Sequence, residues 1–137
     1  MEFKTVEEAL SVFGVTTVEP GAQEAARRYI LSMDPNSSIP QLVDALRSDH
    51  FWVRWEAAEL LAQMGCAAMV EILSALVDPA RVGESRVREG IYHVFHSNRD
   101  SYVRTVSVPL QHALHGAAAD LETMREADHL LQEFAGC

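Results

Sequence analysis

Histidine supplies the first donor set whose spacing suits chemistry. His93-x-x-His96 and His112-x-x-His115 each set two imidazoles three residues apart, the interval at which helical side chains share a face, and imidazole suits zinc, copper or nickel. The pairs fall on consecutive, antiparallel helices, so convergence would make one metal site of His93, His96, His112 and His115. Each pair also interleaves with core-type residues, Val94 and Phe95 in one and Ala113 and Leu114 in the other. That pattern puts the histidines on the solvent edge. The expectation is therefore no metal and no cofactor, with the four-histidine set as the alternative.

Nucleophiles offer less. Cys66 and Cys137 lie far apart in the chain and neither has a His nearby in sequence, so both are expected to be reduced thiols, Cys66 as a small core residue. Ser48, Ser85 and Ser97 fall at caps and turns, and no Gly-x-Ser-x-Gly or phosphate-binding glycine loop occurs. No catalytic residue is assigned, and the chain leans away from an enzyme. Trp52 and Trp55 stand out instead, because two indoles three residues apart at a helix start can face one way and tryptophan is a favoured interface anchor.

The elements that position these residues follow from hydrophobic periodicity. Thr5 to Gly14 reads as a short helix with Thr5 and Glu8 as a capping box. Val15 to Glu19 is a β-prone connector, Pro20-Gly21 opens a helix from Ala22 to Met33, and Asp34-Pro35-Asn36-Ser37-Ser38 reads as a turn. Ile39 to Arg47 is a helix with Pro40 in its first turn. Val53 to Gly65 is the strongest helix of the chain. Ala67 to Asp78 follows, closed by Pro79; a connector, Ala80 to Ser85, leads to a helix from Arg86 to Ser97 that carries Gly90, a residue that often marks close helix approach. Pro109 must kink or restart the stretch from Ser101 to His115, and Ala118 to Phe134 is the last helix. The starts Val53-Arg54, Val87-Arg88 and Met124-Arg125 recur at 34 and 37 residues, a period expected of stacked two-helix units.

Composition narrows the function classes. A chain of 137 residues, 48% hydrophobic and 23% charged, matches one globular domain. A formal charge of −9 with scattered basic residues argues against nucleic acid, whose binding depends on Lys and Arg neutralising phosphates. No apolar run approaches the roughly 20 residues needed to span a bilayer, and Met1-Glu2-Phe3-Lys4 does not open a signal peptide. The expected partners exclude nucleic acid and membrane, and the expected location is cytoplasmic.

Pro40-x-Leu42-x-x-Ala45-Leu46, then Asp49, then Val53-Arg54-x-x-Ala57-Ala58-x-x-Leu61-x-x-x-Gly65 resembles the HEAT-like α-solenoids, in particular the short repeats typified by the phycobilisome-lyase group. The match is best in this middle repeat and fades outward, since Gly90 and Ile91 stand where the pattern wants alanines. The resemblance implies an all-α solenoid of about four antiparallel hairpins, near residues 3–33, 38–65, 67–97 and 100–135, whose second helices line a concave face. Iron hydroxylases of this fold carry a His-Glu ligand pair at the second-helix start. Here that pair is Trp55-Glu56, and no His-Glu dipeptide occurs elsewhere.

Aligning the second helices by their Arg-containing starts sets Trp52, Arg86 and Thr123 at one level, Trp55, Glu89 and Glu126 at the next, and Glu59, His93 and Leu130 at a third. The candidate partner-binding residues are Trp52, Trp55, Glu59, Arg86, Glu89 and His93. Core packing is the competing expectation for Trp55 and, more strongly, for Phe51, and plain solvation is that for the glutamates. The leading function is a non-enzymatic protein- or peptide-binding adaptor or assembly factor. The alternative is a lyase-like or chaperone subunit acting on a chromophore-bearing or modified protein.

Overall fold

The computed structural model describes residues 2–15, 19–116 and 119–137. Within them the chain is all-helical, with ten α-helices, two 3-10 turns and no strand, and none of the helices is long and apolar enough to cross a membrane. Of the connector Val15 to Glu19, residues 16–18 lie outside the described residues, as do 117 and 118 before the last helix.

Helix α1 (Val6–Ser11) starts as its sequence predicts, with the Thr5 hydroxyl accepting from the Glu8 amide at 3.0 Å; the return bond of the capping box goes from the Lys4 amide to Glu8 instead of closing on Thr5. A 3-10 turn, Val12–Gly14, follows. Gly21, at φ +80°, opens α2 (Ala22–Ser32). Two boundaries differ from expectation for a shared reason. Helix α3 runs Pro35–Ala45, so the supposed turn is its first turn and Pro40 lies inside it; α6 (Pro79–Val82) begins at the proline expected only to end a helix. In both, an Asp caps the second following amide, Asp34 to Asn36 and Asp78 to Ala80, each at 3.0 Å. Proline at the first helical position costs no hydrogen bond, so Asp-Pro acts here as a helix start.

Helix α4 (Phe51–Gln63) is buried through Val53, Ala57, Ala58, Leu60, Leu61 and Ala62. Apolar groups on several sides require more than one neighbour, and α4 packs against α3 and against α7 (Ser85–His96). A 3-10 turn, Gly65–Ala68, leads into α5 (Met69–Leu76), where Ile72, Leu73, Ala75 and Leu76 repeat the burial of Leu42, Val43 and Leu46. Pro109 restarts the chain as expected, separating α8 (Ser101–Val106) from α9 (Val108–Leu114). Helix α10 (Ala119–Phe134) packs on α5 and α9, and one continuous core extends from Val6 to Phe134.

A repeated arginine contact sets the helix starts. Arg54 Nη1 donates to the Ser48 carbonyl and Arg88 Nη1 to the Val82 carbonyl, both at 2.7 Å, and Arg104 Nη1 donates to the Asn98 carbonyl. In each case the acceptor lies six residues back, across the turn before the helix. The third member of the set is therefore Val103-Arg104, at the start of α8. Met124-Arg125, expected to open a helix, lies inside α10.

Contacts between the α3–α4 and α6–α7 segments share one offset. Arg47 pairs with Glu84, Asp44 with Arg81, and Asp49 with Arg86, each 37 residues apart. The Arg99 amide donates to the Ala62 carbonyl at 3.0 Å, again 37 residues away. Starts and ends of α4 and α7 are thus tied side by side, and the two helices run parallel.

The thiol expectation is overturned: Cys66 and Cys137 form a disulfide, with Cα atoms 5.6 Å apart, inside the usual range. Cys66 precedes α5 and Cys137 follows α10, so antiparallel packing of those helices brings together residues 71 positions apart. Sequence spacing carries no trace of that contact.

Candidate functional site

The parallel pair α4 and α7 presents its helix starts on one surface. Phe51, Trp52 and Trp55 are 53%, 63% and 41% exposed, forming a ridge on the first turn of α4. Phe51 and Trp55, four residues apart and so on one face, stack with centroids 6.1 Å apart at 23°. Trp52 meets Phe51 edge-on at 5.0 Å. The Arg54 guanidinium lies 5.8 Å from the centre of the Phe51 ring while holding the Ser48 carbonyl. The same contact that sets the start of α4 thus backs the ridge.

On one side of the ridge, between α4 and α7, runs a groove of about 130 Å³. Trp55, Arg86, Glu89 and His93 line it with Phe51 and Arg54, and Ala58 and Gly90 form its floor. Trp55 leans on the His93 ring at 4.4 Å, and His93 Nε2 donates to Glu59 Oε1 at 2.5 Å. Arg86 pairs with Asp49 at 2.7 Å. Glu89 is exposed and has no ion-pair partner among the described residues.

On the other side lies a larger trough of about 580 Å³, between the Val12–Gly14 turn, α2 and α4. Phe13, Gln23, Arg27, His50 and Glu56 line it together with the three aromatics. Glu56, 6% exposed, is held by Arg27, whose Nε donates to Oε1 at 2.5 Å and Nη2 to Oε2 at 3.3 Å. A buried carboxylate needs such a partner. The bond to Glu56 raises the Arg27 pKa above its ordinary value, against a smaller opposing effect of burial.

The six expected binding residues are gathered on this surface. Trp55, Arg86, Glu89 and His93 share the groove, Glu59 is bonded to His93, and Trp52 borders the trough. The third helix of the alignment does not join them: Thr123 and Leu130 are buried in α10, which packs on α5 and α9. Phe51, expected in the core, is instead part of the ridge. Its i, i+4 relation to Trp55 was the available signal. Phe13, Arg27 and Glu56 were missed, since their meeting depends on α2 crossing α4.

The four histidines do not converge. His93 binds Glu59, the His96 Nδ1 donates to the Gln111 side-chain oxygen at 3.3 Å, and Tyr92 contacts the rings of both His96 and His115, at 5.3 and 4.1 Å. No group of three or more His, Cys, Asp or Glu side chains among the described residues is placed to hold a metal ion. The metal alternative therefore lacks its donor set. The chain matches no family model, and neither a curated protein nor a solved structure matches it.

Proposed function

We propose that this protein is a non-enzymatic adaptor or assembly factor that binds an extended protein or peptide segment across the starts of α4 and α7. The observation that carries this reading is the ridge of Phe51, Trp52 and Trp55, three contiguous exposed aromatics flanked by a depression on either side. Exposed apolar patches rimmed by polar groups mark interaction sites, and large aromatics with few rotatable bonds make efficient anchors. A HEAT-like array is the architecture we propose beneath it. Its support is the constant 37-residue offset of the contacts between the α3–α4 and α6–α7 segments and the arginine bonds that repeat at three turns.

The chromophore alternative calls for an apolar pocket. The trough is large enough for a small ligand, but Arg27, Glu56, His50 and Gln23 line it alongside the rings, a mixed surface that favours polypeptide. The test is recovery of partners from native lysate by the wild-type chain and by a Trp52→Ala, Trp55→Ala variant, with folding checked by circular dichroism. Selective loss of one partner with the folded variant is the expected result. Identical recovery by both would remove the ridge from any role in binding.

A further inference from the structure

We infer that the segment bound at this ridge places a basic side chain, Arg or Lys, in the groove between α4 and α7, against Glu89 and the Trp55 ring. The inference rests on the docking reading above and adds the chemistry of the occupant. Its basis is which charges are already engaged. Arg86 is paired with Asp49, Arg54 is bound to the Ser48 carbonyl, and Glu59 is bonded to His93. Glu89 alone lines the groove exposed and without an ion-pair partner among the described residues.

A ligand cation gains Glu89 without breaking an existing contact. A ligand anion would meet Glu89 unscreened, with the Arg86 charge already countered by Asp49 and one Arg54 donor held by the Ser48 carbonyl. The exposed part of the Trp55 ring acts in the same direction, because indole attracts cations. The chain's formal charge of −9 draws basic partners from a distance. A groove of about 130 Å³ admits one long side chain and no folded element, so the rest of the segment lies over Phe51 and Trp52.

The test is selection from a displayed library of random dodecapeptides against the full chain, followed by titration of the selected peptides. Trp52 and Trp55 are the only two tryptophans in the sequence, so intrinsic fluorescence reports binding at the ridge. Peptides carrying Arg or Lys beside an apolar residue are expected, bound about tenfold more weakly by Glu89→Gln and weakened further by added salt. Asp128→Asn, on α10, is expected to leave affinity unchanged. Neutral or acidic peptides that need Trp52 and Trp55 but ignore Glu89 would overturn the inference and leave the docking reading standing. Selected peptides whose binding, followed by titration calorimetry, survives replacement of both tryptophans would overturn both.

Discussion

Gly90→Ala tests whether α7 is seated as closely on the α3–α4 hairpin as the structure shows. A β-carbon built on Gly90 would lie 2.8 Å from Leu46 Cδ2, 3.6 Å from its Cγ and 3.8 Å from its Cβ. Carbon atoms attract best at about 3.5–4.0 Å, so only the nearest contact is a clash. Leu46 is fully buried, which leaves its methyl no open space to swing into. Alanine gains about 1 kcal/mol of helix propensity over glycine, whereas overfilling a packed core costs about 1–3 kcal/mol. The net expectation is a loss of about 0–2 kcal/mol, read as a lower urea midpoint at unchanged slope. Leu46→Ala alone should cost about 2–5 kcal/mol. In the double variant the new methyl enters the vacated space, so the combined loss should fall short of the sum by about 1 kcal/mol. Stabilisation by Gly90→Ala, with strict additivity in the double variant, would refute the close approach.

Other expectations concern the bonds that fix the elements. Arg54→Met removes a charge-assisted bond to the Ser48 carbonyl and should cost about 1.5–3 kcal/mol in chemical denaturation; an unchanged midpoint would count against it. Cys137→Ser opens a disulfide spanning 71 positions, and loop entropy sets the loss at up to about 4 kcal/mol. The deficit should vanish when both proteins are measured in reductant, and a deficit that persists there would have another cause. The Tyr102 hydroxyl donates to Glu133 at 3.0 Å, and that bond, more than the charge beside it, raises the phenol pKa. A raised pKa stabilises the fold below the ordinary tyrosine value and loses that contribution as pH rises through the folded value. Glu133→Gln should lower the Tyr102 midpoint in ultraviolet titration, and an unmoved midpoint would contradict the contact.

Local signals survive into the structure where a single residue's backbone chemistry decides. Thr5 caps α1, Gly21 opens α2 in the left-handed region, and Pro109 splits α8 from α9. Gly90 also reads correctly, since a glycine inside an otherwise strong helix called for a close neighbour. Asp34-Pro35 and Asp78-Pro79 were misread because one proline both ends the preceding helix and starts the next. Choosing between those roles requires seeing the Asp side chain reach its amide. The candidate surface divides along the same line. The nearness of Trp55 to Arg86 and Glu89 could be anticipated from the 34-residue spacing of Val53-Arg54 and Val87-Arg88, whereas Arg27 meets Glu56, and Cys66 meets Cys137, only through packing between distant helices. The third helix failed because Met124-Arg125 mimics a start that Val103-Arg104 supplies.

The arginine bonds across the turns have a consequence for how such a chain can lengthen. Each joins residues six apart, so a hairpin copied whole brings its own lock and borrows none from the neighbour it lands beside. Duplicating the block between the α4 and α7 starts would carry the arginine bond along with it, so the start of the copied helix would be set from within the copy.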